Sequence, residues 1–331
     1  MSKLVTIFGG SGFVGRYITQ RLAKEGWRVR VAVRNPNEAL FVKPYGVVGQ
    51  VEPLFCNIRD DDSVASLTRG ADVVVNCVGV LDEVGRNTFA AVQAQGAERI
   101  ARIAAELGVE RMVHISAIGA DAESASAYAR TKAAGEEGVL RHMPGAMILR
   151  PSIIFGAEDD FFNRFAGMIG PVVPVVGADT RFQPVYVDDV ARAAVMGAIG
   201  QAPGGTYELG GPEVHSFRAL MQLMLKVIHR RKLIVALPFW AANIAAGAFG
   251  LAKTLSLGLV RPPITKDQIR NLRSDNVVAE DATGFAALGI KPEGLDAILP
   301  EYLWRFRPSG QYDEIKASAK NLRGPHSTDY T

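Results

Sequence analysis

Leu4-Val5-Thr6-Ile7-Phe8-Gly9-Gly10-Ser11-Gly12-Phe13-Val14-Gly15-Arg16 is the stretch from which the fold of this chain is read. Leu4 to Phe8 has the composition of a short buried strand, and an amphipathic helix starts after Gly15. Between them, Gly9, Gly12 and Gly15 do three physical jobs. One permits a tight turn, one lets backbone N–H groups approach a pyrophosphate, and one lets the helix pack close to the strand. Ser11, Phe13 and Val14 complete this cradle, and the helix N-terminus adds partial positive charge toward an anion. Glycines alone could mark a structural turn. A strand before them and a helix after them is the context that points to a dinucleotide.

Working outward, strand and helix alternate through the first half. Val29–Val33, Val51–Phe55, Asp72–Cys77, Arg111–Ser116 and Ala146–Leu149 read as further strands, and Thr88–Leu107 and Ala127–His142 as helices. This alternation predicts an α/β fold, a Rossmann-type doubly wound parallel sheet. Glycine- and proline-rich loops after Arg150 separate shorter elements. The expected division is a nucleotide-binding domain over 1–156 to which later segments return, a smaller C-terminal α/β substrate-like domain over 157–306, and a polar tail over 307–331. The tail cannot bury enough apolar surface to fold alone and is either disordered or an arm for a partner.

The ends of these strands carry the candidate chemistry. Arg34 ends the second strand, where an acid would hold the ribose 2′-hydroxyl of NAD(H). A cation there suits the 2′-phosphate of NADP(H), and Arg16 is a second candidate cation. The other reading of both is a solvated surface arginine. Asn57 and Ile58 are expected at the adenine, and Val78 and Gly79 at the cofactor ribose, unless they are plain loop residues. Tyr128 and Lys132 share one helical face. The lysine could hydrogen-bond the nicotinamide ribose and lower the phenol's pKa, so that tyrosine passes a proton while hydride moves.

These motifs, in this order, resemble the short-chain dehydrogenase/reductase superfamily in its extended or atypical branch. Arg150-Pro151-Ser152-Ile153-Ile154-Phe155-Gly156 resembles the family's loop beneath the nicotinamide, which adds Pro151 and Ile153 to the implied cofactor contacts. Gln183–Ala191 and Thr206–Gly211 resemble its second-domain motifs. A narrower resemblance, carried by Phe155–Asn163, Ile264–Gln268 and Tyr302–Arg305, is to the nucleotide-binding accessory subunit of respiratory complex I and its bacterial relatives. It implies bound NADPH, complex I subunits near the junction of the peripheral and membrane arms as partners, and a peripheral place on the cytoplasmic side of a bacterial inner membrane. That subunit is regarded as structural. The alternative is a free NADP(H)-dependent reductase or epimerase acting on a small apolar compound such as a quinone.

One departure bears on turnover. A working reductase of the superfamily places a serine near the tyrosine, but the expected position here is Ile118. Ser116 sits early as a catalytic or cofactor-binding hydroxyl, and Ser124 or Ser126 could substitute. Loss of one carbonyl donor costs on the order of 10²-fold in rate or more. Tyr128 and Lys132 would then survive as ribose-binding groups.

Bulk properties agree. The chain has 331 residues, 48% hydrophobic and 21% charged, with a net charge of +3, too small to argue for nucleic acid. Cys56 and Cys77 lack metal-ligand spacing and read as buried reduced thiols. No signal peptide is expected, and His114 reads as core. Asp188-Asp189 is expected to cap the following helix. Leu233–Ala252 contains no charged residue and lies between Arg230-Arg231-Lys232 and Lys253. It reads as an apolar helix within the fold, a surface helix touching a membrane or large partner, or, at twenty residues, a span.

Overall fold

The computed structural model describes residues 3–168, 170–255 and 264–308, with 310, 312 and 316 beyond them. The opening motif folds as β1 (Leu4–Phe8) and α1 (Phe13–Lys24), followed by β2 (Arg28–Val33), a 3-10 segment, β3 (Val51–Phe55), α2 (Asp61–Thr68) and β4 (Val73–Asn76). A π-helical turn at Ala90–Ala94 leads into α3 (Gln95–Glu106), then β5 (Arg111–Ile115), α4 (Ala127–His142) and β6 (Met147–Pro151). The remainder comprises β7 (Ile154–Phe155), α5 (Phe161–Ala166), β8 (Val172–Val176), β9 (Arg181–Phe182), β10 (Val185–Tyr186), α6 (Val187–Ile199) and β11 (Gly205–Leu209). It ends with β12 (His215–Ser216), α7 (Phe217–Val227), β13 (Leu233–Leu237), α8 (Phe239–Leu255), α9 (Lys266–Asn271) and α10 (Leu295–Leu303).

Seven strands form one parallel sheet in the order β11-β6-β5-β4-β1-β2-β3. Side chains alternate across it, so each strand feeds two cores. Val5, Ile7, Val31, Val75 and Leu149 pack under α1 and α6, while Phe8, Ala32, Val74, Met112 and Ile148 pack under α2, α3 and α4. Burial on both faces explains why β4 reads Val-Val-Val-Asn with no polar–apolar alternation. The strand order reverses between β1 and β4, opening a crevice at their carboxyl ends where such sheets bind ligands.

A third core gathers Phe155, Phe162, Val173, Phe217, Met221, Leu299 and Leu303. It is clasped to the loop after β7, where the Tyr302 hydroxyl donates to buried Asp159, and to α5, where Arg305 donates to Asn163 Oδ1 at 2.6 Å.

Three expectations need correction. Leu233–Ala252 is not one helix. Leu233–Leu237 pairs as β13 with β8, and Pro238 separates it from α8 because proline cannot continue a strand's hydrogen-bond ladder. Among the described residues, no helix is long and apolar enough to cross a membrane. Second, Asp188 and Asp189 do not cap α6, whose N-cap is Tyr186. Asp188 instead forms a two-pronged pair with Arg21 of α1, and buried Asp189 accepts from the Glu293 amide at 2.7 Å. Third, the helix expected over Thr88–Leu107 begins with a π turn that lets Gln93 bridge Val80 and Thr131. The polar tail after Pro308 falls, apart from three residues, outside the described residues.

Candidate functional site

The cradle forms at the switch point. Gly9 has φ +77°, and a Cβ there would meet the Cys77 carbonyl carbon at 3.2 Å. A Cβ on Gly15 would meet the Gly9 carbonyl oxygen at 2.2 Å, so only glycine lets α1 approach β1 this closely. The first bond within α1 runs from Arg16 N to Gly12 O, leaving the N–H groups of Phe13, Val14 and Gly15 without partners inside the helix. No side chain caps this terminus, and its first turn holds no acid. A diphosphate therefore meets donors and positive potential, with no acidic side chain in the first turn itself.

On the adenosine side, Arg34 is exposed at the end of β2, and no described residue pairs with its guanidinium. Arg16 is held more firmly. It donates to the Ser11 and Gly12 carbonyls at 3.3 Å, stacks 4.8 Å from the Phe41 ring and pairs with Glu158 at 3.3 Å. Asn57 uses its backbone N–H on Ser63 Oγ and its side-chain oxygen on the Arg59 amide. Its amide nitrogen forms no bond among the described residues. Ile58, half-buried, packs against Gly96 at the start of α3.

On the nicotinamide side, the structure brings together Gly79, Tyr128 and Lys132. A Cβ on Gly79 would lie 3.5 Å from Lys132 Nζ, which is 6.0 Å from the Tyr128 ring centroid and donates to the Ile115 carbonyl at 3.1 Å. Val78 is fixed by the Asn76 side chain, which accepts from its amide at 3.0 Å. Pro151 accepts from the Ile118 amide, tying the loops after β5 and β6 together, and the Ile153 amide donates to Asn276.

The electrostatics correct two expectations. Lys132 does not lower the Tyr128 phenol, because burial pushes it up to about 12. Burial likewise pushes Lys132 down to about 8, against the opposing charge of Glu136. Ser116 is 4% exposed and its hydroxyl donates to Glu136 of α4, so its one proton is already committed. Glu136 in turn accepts from Arg150 at 2.6 Å. Ser126 donates to Asp267 at 2.8 Å and caps α4, which removes it as a substitute hydroxyl donor.

Sequence reading missed two contributors, and it placed a third residue, His114, in the core, where the structure has it. Asp267 of α9 accepts from Ser126 Oγ, Ala127 N and Tyr128 N, clasping the start of α4. Asn276 holds both Ser152 and Ile153 beneath the nicotinamide side. His114 shares a 3.1 Å bond with Asn76, and burial, then the Lys132 charge, pushes it down to about 3. The polar run Arg273-Ser274-Asp275-Asn276 was a visible signal; nothing near Asp267 betrayed its partner 141 residues away. Among the described residues, no group of side chains is arranged to hold a metal.

Residues 5–210 match the NAD-dependent epimerase/dehydratase family. The chain is 37% identical over 317 residues to the mitochondrial NADH dehydrogenase [ubiquinone] 1 alpha subcomplex subunit 9 of Arabidopsis thaliana, covering 93% of this chain and 79% of that protein. It is 32% identical over 323 residues to the subunit of the same name in Mus musculus, covering 95% and 84%. Its fold is similar to the NADPH-dependent quinone oxidoreductase from Escherichia coli, solved with NADPH, with a TM-score of 0.68 at 18% identity over 90% of this chain and 98% of that one.

Proposed function

The chain belongs to the NAD-dependent epimerase/dehydratase family, and from that premise we propose that it is an NADP(H)-binding accessory subunit of respiratory complex I that holds its nucleotide without turning it over. Pyridine-nucleotide binding follows from the family and from the uncapped α1 N-terminus. The choice of NADP(H), as NADPH, over NAD(H) rests on Arg34, an exposed guanidinium without a partner among the described residues, where a ribose-binding acid would otherwise stand. When bound, the nucleotide would supply a hydride. Among this chain's residues, Lys132 and Tyr128 would hold the nicotinamide ribose, Gly79 would admit it, and Pro151 and Ile153 would support its underside.

The observation that carries the non-catalytic reading is the committed hydroxyls. Ile118 offers no donor, Ser116 gives its proton to Glu136, Ser126 gives its own to Asp267, and the Tyr128 phenol is a weaker acid than free tyrosine. A substrate carbonyl would find little to polarise it.

The complex I assignment is supported by similarity to named complex I subunits across more than nine-tenths of the chain. We place the protein peripherally, on the cytoplasmic side of a bacterial inner membrane near the junction of the two arms. Gentle solubilisation of membranes should show the chain migrating with NADH:quinone oxidoreductase activity. Migration only as a free soluble protein would overturn the assignment.

A further inference from the structure

The packing of α8 is the reverse of what folding in water selects. After Phe239, which packs inward at its start, its inward face is small: Ala242 and Ala246 are 3% and 4% exposed, packed with Val176 and Ile269. Its outward face is large: Trp240 and Ile244 are 68% and 66% exposed, one turn apart, with Ala245, Ala248 and half-open Phe249 beside them. No charged side chain interrupts that face between Trp240 and Phe249. An amphipathic helix whose only role was to close a core would present these groups the other way round.

The chain entering α8 adds further exposed apolar residues and charge. Leu233 and Leu237 of β13 are exposed, and among the described residues β13 pairs only with β8, so the apolar surface includes a sheet edge. Leu233 also lines a groove of about 680 Å³ shared with Gln222, Leu225 and Ile234, whose charged lining is Arg218, Lys226, Arg230, Arg231 and Lys232, with no carboxylate among the lining residues. Arg218 and Lys226 lie eight residues apart on one face of α7. Arg230 and Lys232 are anchored through the carbonyls of Phe306 and Met168, contacts that leave their charge unneutralised. Among the described residues, Arg218, Lys226 and Arg231 form no ion pair.

We propose that this face docks on the surface of an anionic lipid bilayer, with Trp240, Ile244 and Phe249 entering the interfacial layer and the α7–β13 groove receiving lipid phosphate groups. A tryptophan and aliphatic face beside lysine and arginine is the pattern of interfacial helices, whose binding sums buried apolar area and attraction to anionic headgroups. A protein partner would need matching carboxylates for five cations as well as an apolar socket. A bilayer supplies both at once. This deepens, and rests on, the peripheral-membrane part of the function proposed above, but it is tested without complex I.

The full chain should float with vesicles of phosphatidylcholine and phosphatidylglycerol and not with phosphatidylcholine alone. Trp240→Glu/Ile244→Glu and, separately, Lys226→Glu/Arg231→Glu should each weaken that binding about tenfold or more. All four positions lie on the surface, so the thermal transition of the variants should match the parent. Three results would overturn the proposal: no flotation, equal flotation with both vesicle types, or undiminished flotation of the Trp240→Glu/Ile244→Glu variant. Loss of migration with complex I in that variant, with no vesicle binding by the parent chain, would make the face a protein interface and likewise overturn it. Vesicle binding by a chain that never migrates with complex I would leave the lipid surface standing and remove the subunit assignment instead.

Discussion

Arg34 ends its strand with no counter-charge among the described residues, and this single side chain carries the choice between two cofactors. Arg34→Asp should reduce NADP(H) affinity far more than NAD(H) affinity in a fluorescence titration, because it replaces a cation at the 2′-phosphate by an anion. Equal losses would show that Arg34 does not read that phosphate. His114 gives a pH signature. Unfolded, it takes up a proton near its ordinary value of 6.5; folded, only near 3. Between those values the unfolded chain binds more protons, so acidification favours unfolding and stability rises as pH climbs from about 3 to 6.5. His114→Asn should therefore flatten the dependence of melting temperature on pH between 6.5 and 4, whatever its effect at pH 7. An unchanged slope would assign the acid sensitivity to other groups. At this scale the cradle glycines and Tyr128–Lys132 were legible because local spacing encodes them. The fate of Ser116 was not, because Glu136 reaches it from another element.

Among the elements, α4 illustrates how a distant segment tunes a site. Its limits, Ala127–His142, match the pattern-based expectation, since an N-cap serine and a basic last turn mark both ends. What holds its first turn is α9, through the three bonds to Asp267. Asp267→Ala should destabilise the fold by about 2 kcal/mol, the scale of hydrogen bonds to a charged group. This would be read as a lower urea midpoint with an unchanged m-value. NADP(H) affinity should fall with it, because Tyr128 and Lys132 lie within the first two turns. Unchanged stability and affinity together would mean the clasp is incidental. The stretch Leu233–Ala252 shows the opposite outcome. Its apolar composition was plain, but composition does not distinguish strand from helix in short runs, and pairing with β8 decided for β13.

For the whole molecule, the cofactor crevice joins β1, β2, α1 and α4, and its lower wall is laced to the C-terminal segment through Asn276. A ligand that binds only this assembled state stabilises it by mass action. NADPH at about a hundred times its Kd should contribute about 2.7 kcal/mol, seen as a rise in melting temperature that exceeds the rise with NADH at equal concentration. No rise with either nucleotide would count against the site. The sequence by itself determined the α/β class, the strand–glycine–helix cradle and the cation at the end of the second strand, because each depends on residues within a few positions of one another and on short-range sterics. Only the tertiary structure decided which hydroxyls stay available, that Asp267 clasps α4, that Tyr128 is pushed up and Lys132 down, and that α8 turns its large side chains outward. Those outcomes depend on desolvation and on contacts across 20 to 141 residues, which no local pattern records.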